Sequence, residues 1–127
     1  MKSIIELNDL SYKIIGCVYT VHSELGPGLL ESTYEACLEH ELIKSGLFVE
    51  RQKQLPVVYD GLTLEVGYRI DLLVNNQIIL ELKSIDEIAP IHKAQLMTYL
   101  KLSRLKLGLL LNFNVQDMKK GISRIII

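Results

Sequence analysis

The segment that decides our interpretation of the fold is RIDLLVNNQIILELK, which runs from Arg69 to Lys83. Two apolar runs flank the dipeptide Asn75-Asn76, and asparagines of this kind favour a tight turn. The pattern therefore predicts two antiparallel strands joined by a short loop. The register matters, because a slip by one residue moves every side chain to the opposite face of the sheet.

Two loop lengths are compatible with this strand pair. A two-residue loop would pair Asp71 with Leu80 and Glu81 with Ile70, which mixes carboxylates with aliphatic side chains on both faces. A three-residue loop, residues 75–77, instead creates one apolar face and sets Asp71 directly opposite Glu81. We therefore predict the longer loop, with the further pairs Ile70–Leu82, Leu72–Leu80, Leu73–Ile79, Val74–Ile78 and Arg69–Lys83.

The opposed carboxylates of Asp71 and Glu81 favour a metal site. Their β-carbons would lie about 5 Å apart, and two ionised carboxylates at this distance repel unless a cation lies between them. Magnesium suits such an open site, because it binds a few oxygen ligands and keeps several waters. Lys83 shares the face and can stabilise an attacking water and a phosphorus-centred transition state. A Glu-x-Lys strand alone is more often a surface ion pair, so the opposing carboxylate is what favours phosphodiester hydrolysis.

The rest of the chain predicts an α/β or α+β domain. Helices are expected over about residues 8–25 and 30–45, on either side of the Gly26-Pro27-Gly28 break, and they form an N-terminal helical hairpin. A third helix is expected over about residues 90–103, with proline in its first turn. The segments with strand patterns are 48–52, 55–59, 62–66, 68–74, 78–83, 107–112 and 122–127, with a hairpin turn at Asp60-Gly61.

Composition bounds the function. The chain has 127 residues and 49% hydrophobic content, which fits one domain with a single core. Its net charge of -1 gives no overall positive field that would attract nucleic acid.

Cys17 and Cys37 lack metal or disulfide spacing, so we expect buried, reduced thiols. The sequence shows no secretion signal and no membrane span, which predicts a cytoplasmic protein. It also lacks a Gly-rich phosphate loop, a Ser-His-Asp set and a CxxC pair.

Short motifs at several places resemble a known family. The segment GLLESTY, Gly28 to Tyr34, has the pattern of the GxxExxY protein family of the PD-(D/E)XK nuclease superfamily. Asp71 with the later Glu-Leu-Lys at 81–83 resembles that superfamily's metal-binding and catalytic motif, although Ile70 replaces the proline of the PD dipeptide. Gln95 with Tyr99 resembles the Q-x-x-x-Y helix motif, so the resemblance covers nearly the whole chain.

This resemblance implies a restriction-endonuclease-like α/β core, in which a central mixed β-sheet is flanked by helices and preceded by the helical hairpin, as one domain over residues 1–127. It implies that Asp71, Glu81 and the backbone carbonyl of Leu82 bind Mg2+, which Mn2+ can replace. Glu31 would assist through water, and Lys83 would polarise the attacking water. The implied activity is a nuclease that cleaves nucleic acid, with DNA favoured over RNA, although the same scaffold could also act on a phosphorylated small molecule.

Further residues are candidates for substrate contact or for support of the site. Three of them share one face of the predicted third helix. Glu31 and Tyr34 share a face of the second helix, although a core aromatic is the simpler interpretation of Tyr34. The candidates of this class are Tyr34, Arg69, His92, Gln95 and Tyr99.

A second interpretation is a non-catalytic module on the same fold, which binds nucleic acid or another protein. The near-neutral charge favours it, whereas the complete set of charged site residues disfavours it, because buried carboxylates without a metal cost stability. In either case a homodimer or a partner protein could supply specificity, and no membrane partner is expected.

Overall fold

The structure is a computed structural model that describes residues 3–127. The elements are α1 (Ile4–Leu25), α2 (Glu31–Lys44), β1 (Val49–Gln54), β2 (Val57–Tyr59), β3 (Leu62–Leu64), β4 (Arg69–Val74), β5 (Ile78–Lys83), α3 (Pro90–Ser103), β6 (Leu107–Asn112), a 3-10 turn (Met118–Gly121) and β7 (Ile122–Ile126). The core is a five-stranded sheet with the order β1-β4-β5-β6-β7, and the two short strands β2 and β3 form a separate hairpin.

The first helix begins one turn earlier than predicted. Ser3 accepts a hydrogen bond from the backbone N–H of Glu6 at 3.2 Å, and the Glu6 carboxylate accepts one from the backbone N–H of Ser3 at 3.2 Å. This reciprocal capping box satisfies two N–H groups that the helix itself cannot pair, so α1 starts at Ile4 and the predicted start near Asn8 is wrong. The predicted bounds of α2 and α3 agree with the structure within about one residue.

The two strands β4 and β5 pair in the predicted register next to the loop, whereas the predicted pairs Asp71–Glu81, Ile70–Leu82 and Arg69–Lys83 are not part of the ladder. Leu72 lies opposite Leu80, and residues 75–77 form the loop. Asn75 and Asn76 have φ angles of +51° and +53°, a left-handed conformation that asparagine tolerates better than most residues. Because β5 pairs with β6 in parallel and the other neighbours pair antiparallel, the sheet is mixed, as predicted.

Helices cover both faces of the sheet, which confirms the predicted architecture. The helical hairpin packs on one face and α3 on the other. Ile70 packs with Leu73 and Ile79 on the α3 side, whereas strict alternation predicted it beside Leu72. The regular pairing of β4 with β5 extends only as far as Leu72, so alternation no longer assigns the faces correctly beyond that point.

Two further expectations concern the cysteines and the membrane. Cys17 is buried as predicted, whereas Cys37 is only partly buried, because it lines a surface cleft between α1 and α2. Both cysteines are free thiols. Among residues 3–127, no helix has the length and apolar character needed to cross a bilayer.

Candidate functional site

Asp71 and Glu81 meet where the regular pairing of β4 with β5 ends. The backbone N–H of Asp71 donates to Oε2 of Glu81 at 2.9 Å, and the backbone N–H of Leu82 donates to Oδ2 of Asp71 at 2.9 Å. Each carboxylate thus accepts a hydrogen bond that a backbone carbonyl would accept in a regular antiparallel ladder. These bonds therefore bring the two acidic side chains together just beyond the residues that pair in the predicted register.

Burial makes the negative charge of Glu81 unfavourable. The residue is 7% exposed, and burial raises the pKa of its carboxyl group to about 8, with the charge of Asp71 adding to the effect. Burial also raises the pKa of Asp71, although the hydrogen bond from the Leu82 backbone opposes this. The pair therefore retains a proton near neutral pH when no cation is bound.

Lys83 follows Glu81 on the same strand and lies near the carboxylate pair. Its positive charge acts on Glu81 and lowers the pKa of that carboxyl group, against the larger effect of burial. Within the part of the chain that the structure describes, no carboxylate lies within 4.0 Å of the Lys83 ammonium. A positive charge placed in this way is available to a bound water or anion.

The backbone of Leu82 faces Asp71. The carbonyl of Lys83 accepts a hydrogen bond from the backbone N–H of Phe113 at 2.9 Å, on the β6 side of the strand. Successive carbonyls of a strand point in opposite directions, so the Leu82 carbonyl points towards β4. This is the direction that its predicted role as a metal ligand requires.

Glu31 begins α2 next to the end of β5. Its Oε2 accepts a hydrogen bond from the backbone N–H of Ser84 at 3.4 Å, and the Ser84 hydroxyl donates to the carbonyl of Leu29 at 2.6 Å. These contacts hold the turn before α2 against the residue that follows Lys83. Glu31 therefore lies beside the strand end that carries the other charged residues.

Tyr34 lies in the core. It is fully buried and stacks on Phe113 with ring centroids 4.5 Å apart. Its hydroxyl donates to the carbonyl of Gly26 and accepts the backbone N–H of Leu29 at 3.1 Å. The side chain thus holds the turn between α1 and α2, which in turn places the start of α2.

The candidates on α3 have different surroundings. The Nδ1 atom of His92 accepts the backbone N–H of Ala89 at 2.8 Å and so caps the first turn of the helix. Gln95 and Tyr99 line a surface cavity of about 400 Å³ together with Tyr68. Burial raises the pKa of Tyr99, and the negative charges of the two strand carboxylates add to the effect. The charges of the two carboxylates therefore act on one residue that lines this cavity, Tyr99.

The chain matches one protein family over most of its length. A family model described as the PD-(D/E)XK nuclease superfamily matches residues 8–125. The chain belongs to the PD-(D/E)XK nuclease superfamily. No curated protein and no solved structure gives a significant match. The match covers the helical hairpin, the sheet and α3, so family membership indicates a nuclease activity for the region that contains the carboxylate pair.

The sequence interpretation missed a cluster that supports the acidic pair of this PD-(D/E)XK domain. Glu35 is 7% exposed, and its two oxygens accept hydrogen bonds from Nε of Arg51 at 2.8 Å and from Nε2 of Gln52 at 2.7 Å. The same Gln52 nitrogen donates to Oδ1 of Asp71 at 3.3 Å. Arg69, which was predicted as a substrate or support residue, donates to the carbonyl of Gln52 at 3.4 Å.

One signal for Glu35 was visible in the sequence. Glu35 lies one turn after Glu31 and next to Tyr34, on the stripe of α2 that continues to the buried Leu38. An acidic residue on the inward side of a helix needs a partner, because an unpaired buried charge is costly. That stripe therefore indicated a polar contact beneath α2, although not which residues would make it.

Asn112 is a further residue near the site that was not predicted from the sequence. It lies at the end of β6 opposite Lys83 and is buried. Its amide donates to the carbonyl of Ile85 at 3.0 Å and accepts the backbone N–H of Ile85 at 3.2 Å. Asn112 thereby holds the chain that leaves β5, and a polar residue closing an otherwise apolar strand was the available signal.

The oxygen donors of this PD-(D/E)XK domain fit a divalent metal, which nucleases of the superfamily generally use. Within residues 3–127, no group of three histidine, cysteine or acidic side chains is close enough to form a metal cluster. The carboxylates of Asp71 and Glu81 and the carbonyl of Leu82 are nevertheless hard oxygen ligands, and Mg2+ commonly keeps waters in its remaining positions. Loss of the retained proton would leave two carboxylates that repel each other, and a bound cation would offset this repulsion.

Proposed function

We propose that this domain is a metal-dependent nuclease that hydrolyses phosphodiester bonds. The observation that carries the proposal is the meeting of Asp71 and Glu81 where β4 and β5 separate, with Lys83 on the same strand. In this proposal the two carboxylates and the Leu82 carbonyl hold the metal, and Glu31 assists. A bound divalent metal would lower the pKa of a water molecule and offset negative charge on the phosphate.

The residues of the chain contribute further charge and contacts. The ammonium of Lys83 holds the attacking water by a hydrogen bond and stabilises the charge that develops on the phosphoryl oxygens. Gln95 and Tyr99 line one surface cavity on α3, and in this proposal they contact the nucleic-acid strand near the bond that is cleaved. Tyr34 and His92 act indirectly, through the turn before α2 and the start of α3.

The finer assignments extend the family membership. We propose that the chain belongs to the GxxExxY family within the superfamily, on the strength of its GLLESTY segment. We also propose that it uses Mg2+ or Mn2+, cleaves DNA in preference to RNA and forms one domain over residues 1–127. The oxygen-only ligand set supports the choice of metal, and the two free cysteines are consistent with a reducing cytoplasm.

The decisive experiment compares cleavage of single- and double-stranded DNA and RNA by the wild-type protein and by Lys83→Ala, with Mg2+ and with Mn2+. We expect the variant to cleave at least about 100-fold more slowly, because it loses a charge aimed at the transition state. Its thermal stability should stay close to that of the wild type. The matched control is Lys44→Ala, which removes an exposed lysine at the far end of α2. Undiminished cleavage by Lys83→Ala would exclude the proposed role.

The alternative is a non-catalytic module that binds nucleic acid or forms a dimer or a complex with a partner protein. The β2–β3 hairpin favours it, because this hairpin presents exposed apolar side chains such as Tyr59, which is 72% exposed. Calorimetric titration with Mg2+ or Mn2+ separates the two functions. Metal binding that Asp71→Ala abolishes supports the nuclease, whereas a stable dimer without metal binding supports the module.

A further inference from the structure

Gln52 has a backbone conformation that neither the sheet nor the proposed chemistry explains. Its φ angle is +53°, in the left-handed region that residues other than glycine rarely adopt. Its neighbours Arg51 and Lys53 pair regularly with β4, while Gln52 and its facing residue Asp71 are left out of the ladder. Strained residues of this kind persist where surrounding contacts compensate for the strain.

The side-chain amide of Gln52 supplies such contacts. Its Nε2 atom donates to Oε1 of Glu35 at 2.7 Å and to Oδ1 of Asp71 at 3.3 Å. Ionised carboxylates only accept hydrogen bonds, so both contacts require the nitrogen of the amide and not its oxygen. A single NH2 group thus lies between two side chains of like charge.

Glu35 provides a fixed anchor for this amide. Its second oxygen accepts a hydrogen bond from Nε of Arg51 at 2.8 Å, and this bond is the main reason why the pKa of Arg51 is raised. Both oxygens of Glu35 are therefore engaged, and its charge is balanced by a guanidinium group. This arrangement holds Glu35 in place and leaves the metal to other carboxylates.

Asp71 is held from two sides. The backbone N–H of Leu82 donates to Oδ2 from β5, and the Gln52 amide donates to Oδ1 from β1. We infer that Gln52 is a positioning residue, which orients the carboxylate of Asp71 for metal binding and shields it from the charge of Glu35. The inference rests on the proposed function, since it concerns the same metal site.

The test compares three variants of the full chain. Gln52→Ala removes the amide, Gln52→Gly removes it and also relieves the left-handed backbone, and Gln54→Ala is the matched control on the same strand, where the backbone pairs regularly. We expect both Gln52 variants to bind Mn2+ about tenfold more weakly in calorimetric titration, while the control keeps wild-type affinity. We also expect a higher metal concentration for half-maximal cleavage, with a smaller effect on kcat at saturating metal.

A second measurement needs no metal. Hydrogen exchange of the Leu82 amide, which donates to Asp71, should be several-fold faster in both Gln52 variants than in the wild type and the control. Wild-type Mn2+ affinity in either Gln52 variant would overturn the inference, as would a loss of affinity in Gln52→Ala that Gln52→Gly restores. If the wild type bound no metal, the proposed function would be wrong, and Leu82 exchange alone would decide whether Gln52 holds Asp71.

Discussion

The substitution Glu81→Gln should stabilise the metal-free protein at alkaline pH while it abolishes cleavage. Burial, together with the charge of Asp71, raises the pKa of Glu81 from 4.5 to about 8. A tenfold change in acid dissociation corresponds to about 1.4 kcal/mol, so ionising this carboxyl group in the folded protein costs up to about 5 kcal/mol. Glutamine has nearly the same shape, and its amide oxygen can still accept the backbone N–H of Asp71.

The sign of the pH dependence follows from where each state releases its proton. Below about pH 4.5 the carboxyl group of Glu81 is protonated in both the folded and the unfolded chain, so its contribution to the free energy of unfolding is fully present. As the pH rises towards about 8, the unfolded chain releases the proton first, and this contribution is lost. Because Glu81→Gln has no acidic proton at this position, its free energy of unfolding should not fall in this way as the pH rises.

The assay is urea unfolding of the metal-free protein at about pH 5 and at about pH 9. Between these two pH values, we expect the free energy of unfolding of the wild type to fall by about 2–4 kcal/mol more than that of Glu81→Gln. Saturating Mg2+ should reduce the loss in the wild type and leave the variant unchanged. The control is Glu65→Gln, at an exposed residue between β3 and β4. Parallel pH dependences of the wild type and Glu81→Gln would refute the reasoning, because burial of the charge would then cost nothing.

Further predictions concern the stability of the fold at residues outside the carboxylate pair. Gly121→Ala should lower the free energy of unfolding by about 2 kcal/mol or more in urea titrations, because its β-carbon would lie 2.2 Å from the backbone oxygen of Asn112. Gly16→Ala, which meets no atom within 4 Å in the middle of α1, should instead stabilise by about 0.5–1 kcal/mol. Tyr34→Phe should lower thermal stability by the equivalent of about 1–2 kcal/mol, since two backbone groups lose their partner. The exposed Tyr19→Phe should not, and equal effects of the two tyrosine changes would contradict this account.

Much of the strand pair could be predicted because its determinants are local. The paired residues lie close together in the chain, and the apolar alternation around the asparagine loop admits one register that buries an apolar face. The closeness of Asp71 and Glu81 was predicted by extending that register past Leu72, although in the structure hydrogen bonds between their carboxylates and the backbone make the contact. Local signals were less useful where two of them competed. At the start of α1, both Ser3 and Asn8 are good capping residues, and the hydrogen bond between Ser3 and Glu6 determines where the helix begins.

The sequence alone was thus sufficient to predict helices on both faces of a sheet, because this follows from short-range periodicity. The mixed arrangement of the strands was predicted only through the resemblance to the nuclease superfamily. Only the tertiary structure showed that the Gln52 amide on β1 donates both to Glu35 on α2 and to Asp71 on β4. The physical reason is that these contacts join segments far apart in the chain and need a left-handed backbone at a residue type that does not favour it. Such a conformation is stabilised by packing and hydrogen bonds that form only once the helix lies on the sheet.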